Sequence, residues 1–166
     1  MIDERAFVQA AQEQLESLHL LSLSILKSHA DAQDAVQQGM LRAWERRAQV
    51  SGEAKLRAWL TRIVINECRN IQRRRMRVFP VGELPRTERD DEAEEGALRE
   101  AMDALSEKLR TPLLLKYVNG FSEKEIAHAL GVPVTTVKSR LHRARKALRT
   151  ELVDVEVRFG ETDGCE

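Results

Sequence analysis

Apolar residues recur at spacings of three and four over most of this chain, and nowhere do they alternate in the two-residue rhythm of a strand. The pattern predicts a first helix over residues 3–28, with a break near Gln14. A second opens at Asp31, a residue type that caps helix N-termini, and runs through "DAQDAVQQGMLRAWERR". A third spans about 54–75. The rhythm then stops. "PVGELPRTERDDEAEEGA" carries two prolines, two glycines and an acidic run, and reads as a solvated linker over 78–96. Short helices follow over 97–108, 111–118, 122–130 and 133–155, then a frayed tail over 156–166. The expected fold is all-α: a helical domain over 1–77, a flexible acidic linker, and a four-helix domain over 97–155.

The second domain has the sharper local signals. Asn119-Gly120 stops one helix, and "SEKE" at 122–125 is a capping box in which hydroxyl and carboxylate each accept from a free backbone amide. Ile126, Ala127 and Leu130 form an apolar face, Gly131 sits where a left-handed C-cap belongs, and Pro133 stands at the start of the next helix. Two short helices joined by a glycine-containing turn make a helix-turn-helix.

The helix after that turn has one ordinary apolar face: Val134, Val137, Leu141, Ala144, Leu148 and Leu152. Its other side holds Thr135, Thr136, Lys138, Ser139, Arg140, His142, Arg143 and Lys146, and from Pro133 to Arg149 there is no acid. A solvated helix face is usually mixed in sign. Hydroxyls followed by long cations suit a DNA major groove, where arginine reaches base edges and lysine reaches phosphates. A second basic stripe lies in the third helix, where Arg62, Asn66, Arg69 and Arg73 follow one another at spacings of four, three and four. Arginines track a phosphate backbone, and an asparagine amide offers a base both a donor and an acceptor. Leu56, Trp59, Leu60, Ile63, Val64 and Ile71 face the other way, toward a core, and Trp44 is read as core as well.

Composition narrows the field. The 27 Lys and Arg balance 27 Asp and Glu, so nucleic-acid binding must come from local clustering rather than overall charge. Cys68 and Cys165 make no disulfide framework, which suits a reducing compartment. His19, His29, His128 and His142 fall in different helices with no metal-ligand spacing, so no metal, no cofactor and no enzyme activity are expected. The acidic N-terminus lacks the basic start of a signal peptide, and no apolar run approaches a membrane span.

The motifs in order resemble the extracytoplasmic-function group of the sigma-70 family, the bacterial transcription initiation factors. "DAQDAVQQGMLRAW" is similar to region 2.2, "KLRAWLTRIVINECRNIQRRR" to regions 2.3 and 2.4, and "GFSEKEIAHALGVPVTTVKSRLHRARKALR" to region 4.2. The resemblance implies a cytoplasmic bacterial protein whose partners are core RNA polymerase, promoter DNA and an anti-sigma factor. It implies that Asp34, Gln37, Gln38 and Leu41 dock on the clamp coiled coil of the β′ subunit, and that the C-terminal domain meets the β flap. It further implies that Arg62, Asn66, Arg69 and Arg73 meet the minus-10 element, that the loop "AQVSGEAK" holds an extruded base, and that Thr136, Lys138, Ser139, His142 and Arg143 meet the minus-35 element. Gln38 stands where many relatives carry Glu, and Thr135 where many carry Gly. Two other readings stand beside this one. A helix-turn-helix repressor or activator works without polymerase and usually as a dimer; a pure interaction scaffold would not need an acid-free recognition face.

Overall fold

The computed structural model describes residues 2–78 and 96–160, with side chains to residue 153. Among the described residues there is no strand. The helices are α1 (Glu4–Leu26), α2 (His29–Arg46), a 3-10 turn at Arg47–Gln49, α3 (Glu53–Val78), α4 (Gly96–Ala104), α5 (Glu107–Tyr117), α6 (Glu123–Leu130) and α7 (Val134–Gly160). The all-α expectation holds, and the C-terminal half has four helices. The acidic linker lies outside the described residues.

Three local expectations change. α1 has no break at Gln14: it runs unbroken, and Gln14 is buried, its amide oxygen facing the Thr61 hydroxyl at 3.5 Å. The cap of α2 is Ser28, whose hydroxyl accepts from the Asp31 amide at 3.3 Å, while Asp31 sits in the first turn, where its charge favours the helix dipole. α5 starts at Glu107 and carries Pro112 inside it, so the break between α4 and α5 falls at Leu105-Ser106 and not at the Thr111-Pro112 pair. Proline lacks an N–H and removes one helical hydrogen bond, but Pro112 is fully buried, and that packing outweighs the loss.

The capping box forms as read. The Ser122 hydroxyl accepts from the Glu125 amide at 3.2 Å, and the Glu125 carboxylate accepts from the Ser122 amide at 2.7 Å. Gly131 ends α6 with φ +66°, a left-handed conformation that costs glycine nothing. Lys27 ends α1 in the same region, φ 56°, without that freedom.

The two halves share one core. Leu18, Leu21 and Ile25 of α1, Val36 of α2, and Val64, Ile65, Cys68 and Ile71 of α3 belong to the same buried cluster as Leu113, Leu115, Phe121, Ile126, Leu130, Val137 and Leu141. α3 is the shared wall: it packs on α1 and α2 on one side and on α6 on another. Gly39 lets α2 and α3 cross closely, because a Cβ there would stand 2.7 Å from Val64 Cγ2 and 3.2 Å from Val64 Cα. A smaller cluster of Ile2, Phe7, Ala43, Val50, Leu56 and Leu60 closes the far end of the N-terminal half.

Polar side chains clasp the halves together. Arg110, only 7 % exposed, donates to the Ser24 hydroxyl and the Ser24 carbonyl, each at 2.9 Å, and to the Leu105 carbonyl at 2.8 Å. Burial lowers its pKa and nearby Asp103 and Glu107 raise it. Arg57 donates to the Asn119 carbonyl and lies 4.5 Å over the Phe121 ring. Gln72 donates to Glu107 at 2.8 Å, and Lys27 pairs with Asp103.

Candidate nucleic-acid and polymerase interfaces

The α7 face is built by the turn before it. Pro133 accepts from the Thr136 and Val137 amides, which sets the first turn, and burial of Val137, Leu141 and Ala144 turns the opposite side outward. Thr135, Lys138, Ser139, His142, Arg143 and Lys146 are exposed, and Thr136 and Arg140 are half-buried. All eight therefore share one accessible surface. The preceding helix brings an acid to its edge: Glu123 stands 4.0 Å from Lys138 Nζ. An exposed pair at that distance contributes little and leaves Lys138 available to a phosphate. Arg145 donates to the Tyr117 hydroxyl at 2.9 Å, which ties α7 to α5 beside this face.

On α3, Arg62 and Asn66 are exposed, Arg69 is half-buried and Arg73 is exposed. The Asn66 amide makes no hydrogen bond among the described residues, so its donor and acceptor are unused within the fold. Arg73 does not swing freely: its Nε donates to the Arg69 carbonyl at 3.3 Å and its Nη2 to the Asn70 side chain at 2.7 Å. Arg62 reaches the turn of the other half, where a side chain at Gly131 would meet its Nη2 at 3.7 Å.

The α2 face collects Asp34, Gln37, Gln38 and Leu41, all exposed. Leu41 is 59 % exposed and sits in an apolar groove with Leu15, Met40 and Trp44. Trp44 is not the core residue expected: it is 37 % exposed, held edge-on by Phe7 at 5.5 Å and covered by the Arg47 guanidinium at 3.9 Å. Its amphipathic ring makes the groove both apolar and rigid, and the three-to-four spacing of residues 37, 41 and 44 is the signal that would have placed it there.

Sequence reasoning also missed a polar network between α2 and α3. Arg42 Nη1 stands 2.6 Å from Glu67 Oε1, and Glu67 is 4 % exposed. Among the described residues no group of histidine, cysteine and carboxylate side chains is placed to hold a metal ion. No helix among the described residues is long and apolar enough to cross a membrane.

Comparison with known proteins agrees with this geometry. Residues 13–78 match the family profile of Sigma-70 region 2, and residues 95–148 match Sigma-70, region 4. The RNA polymerase sigma-E factor of Streptomyces coelicolor is 34 % identical over 140 residues, covering 80 % of this chain and 79 % of that one. The ECF RNA polymerase sigma factor SigM of Mycobacterium tuberculosis is 32 % identical over 151 residues, covering 88 % and 76 %. The sigma factor RpoE of Bartonella quintana, solved in complex with the anti-sigma factor NepR, superposes with TM-score 0.69 at 28 % identity over 87 % of this chain and 96 % of that one. CnrH, solved in complex with the cytosolic domain of CnrY, superposes with TM-score 0.68 at 27 % identity over 93 % and 91 %. The chain belongs to the sigma-70 family of RNA polymerase sigma factors, in its extracytoplasmic-function group.

Proposed function

We propose that this sigma factor docks on the β′ clamp through Asp34, Gln37, Gln38 and Leu41. In the same reading Arg62, Asn66, Arg69 and Arg73 engage and help open the minus-10 element, and the exposed face of α7 reads the minus-35 element. The division of labour rests on one observation above the others. A single chain carries two exposed basic surfaces of different chemistry: a recognition-helix face with no acid up to Arg149 after a capped turn, and an unpaired asparagine amide set among arginines. The first suits intact duplex. The second suits an unpaired strand, where a newly exposed base edge needs a donor and an acceptor, and catching it offsets part of the unstacking cost of a few kcal/mol.

The chain works where core polymerase is, in the bacterial cytoplasm, and an anti-sigma factor restrains it. Both solved relatives named above are held in complexes, one of them with the anti-sigma factor NepR, which supports that assignment.

Gel filtration with and without core polymerase is the first test. A monomer that joins core enzyme fits the proposal; a dimer that ignores it points to a repressor. Asp34→Ala with Gln37→Ala should weaken the complex while helical content and melting temperature hold, since both side chains face solvent. Asn66→Ala should keep core binding and minus-35 recognition and lose permanganate reactivity of thymines near the start site. A template already mismatched across the minus-10 region should recover much of the activity. Normal opening of duplex DNA by Asn66→Ala would remove Asn66 from this role.

A further inference from the structure

A polar cleft of about 610 Å³ lies between α2 and the C-terminal half of α3, and the reading above uses only Arg73, Asp34 and Gln38 of its lining. Four arginines line it, Arg42, Arg73, Arg74 and Arg77, against two acids, Asp34 and Glu67. Glu67 is the unusual one. It is 4 % exposed, and a carboxylate is costly to bury unless a partner compensates. Its partner is Arg42, at 2.6 Å, whose own side chain remains 47 % exposed. The Asn70 amide donates to the same Glu67 oxygen at 3.5 Å, and its carbonyl oxygen accepts from Arg73 Nη2 at 2.7 Å. One buried carboxylate thus anchors a line of side chains that ends in an exposed arginine at both ends.

A guanidinium has five N–H donors in a planar fork. Here Arg42 Nη1 is held against Glu67 as an ion pair at 2.6 Å, and Arg73 is held at Nη2 by Asn70 and at Nε by the Arg69 carbonyl. The remaining donors of both are fixed in direction and open to the cleft. Free arginine side chains lose rotamer freedom when they grip a phosphate; arginines already held lose less.

We propose that Glu67 is a positioning residue for DNA. It presents Arg42 and, through Asn70, Arg73 to backbone phosphates of the strand at the minus-10 element. The proposal rests on the minus-10 reading of α3 given above.

The sign of one substitution separates this from simple electrostatics. An acid beside DNA repels phosphates, so deleting its charge should tighten binding if Glu67 does nothing else. If it positions Arg42, deleting it should weaken binding even though the protein gains net positive charge. The test uses holoenzyme and a fork-junction DNA from a promoter mapped by sequencing transcript 5′ ends. Each phosphate contact contributes about 0.9 to the slope of log K against log salt, which corresponds to about eightfold in affinity at 0.1 M salt. Arg42→Ala should lose up to about eightfold in affinity and lower the slope by about 0.9. Glu67→Met, close in volume, should weaken binding in the same direction and lose less in the Arg42→Ala background than in the wild type, because only Arg73 is then left to position. Ethylation of the phosphate that Arg42 grips should hinder the wild type and have no effect on either variant. If Glu67→Met does not fold, Glu67→Gln keeps the volume and an acceptor oxygen, and should show a smaller loss with the same non-additivity. Equal or tighter binding by the folded Glu67 variant, or losses that add in full to that of Arg42→Ala, overturns the proposal. Failure of the minus-10 reading looks different: Arg62→Ala and Asn66→Ala would then also leave fork binding intact.

Discussion

Arg110 grips Ser24 twice, through the hydroxyl and the backbone carbonyl, and so joins α5 of one half to α1 of the other. The two residues lie 86 positions apart in the chain. Arg110→Ala leaves the buried Leu105 carbonyl and the half-buried Ser24 carbonyl without their donor. It should cost roughly 2–4 kcal/mol in urea denaturation, from hydrogen bonds to a charged group and the desolvation of orphaned acceptors. Arg110→Lys should restore only part of this, because an ammonium cannot reproduce the planar fork.

Gly39→Ala tests the helix crossing. The added methyl meets Val64 at both Cγ2 and Cα, and the Cα cannot rotate away. A loss of about 1–3 kcal/mol is expected on thermal or urea unfolding. Val64→Ala in the same chain should return part of it, since the tighter of the two contacts, at 2.7 Å, is then gone.

Cys68 is fully buried, and desolvation pushes its thiol up from 9.0 to about 11, against a smaller pull from Ser22. At pH 8 it should react with iodoacetamide at least about a hundredfold more slowly than a free cysteine, whose pKa is about 8.5. The sign for stability follows from proton counting. Between pH 9 and pH 11 the unfolded chain has released this proton and the folded chain still holds it. Stability from this group is therefore whole below pH 9 and falls as pH rises toward 11, by roughly 2–3 kcal/mol in all. Cys68→Ser should remove that part of the alkaline decline, read as melting temperature against pH.

On the recognition helix, Arg143→Ala should cost about 1–3 kcal/mol at the minus-35 element and relax preference at one base position. Lys146→Ala should weaken binding to all sequences alike and reduce the salt slope by about one. Fluorescence anisotropy on a set of singly substituted duplexes separates the two patterns.

The parts that local chemistry decides were legible in the sequence. The capping box at Ser122 and Glu125 and the left-handed Gly131 are short-range choices, and the basic face of α7 follows from a 3.6-residue period. What lies between helices was not. Ser28 displaced Asp31 as a cap because the chain leaves α1 through a left-handed Lys27, which starts α2 three residues earlier. Trp44 has the chemistry of a core residue, and only the position of Phe7 and Arg47 shows that part of its ring is surface. Glu67 sits one residue after Asn66 in a basic run and looks like a stray solvated acid. Its burial depends on α2 bringing Arg42 across, which no periodicity in α3 can announce.

The common core of the two halves carries a geometric consequence for the proposed promoter contacts. The names of the two elements place them about 25 base pairs apart, about 85 Å along the duplex at 3.4 Å per step. In the structure Arg62 and Gly131 are neighbours, so the surfaces meant for those elements belong to bodies that touch. A chain folded as described here can hold one element or the other. Holding both requires the Arg110 clasp and the apolar seam beneath it to part. Apparent promoter affinity is then the intrinsic affinity multiplied by the fraction of molecules that are parted, so each 1.4 kcal/mol by which closure wins weakens promoter binding about tenfold. Whatever grips the separated halves, polymerase included, does part of its work by keeping them apart.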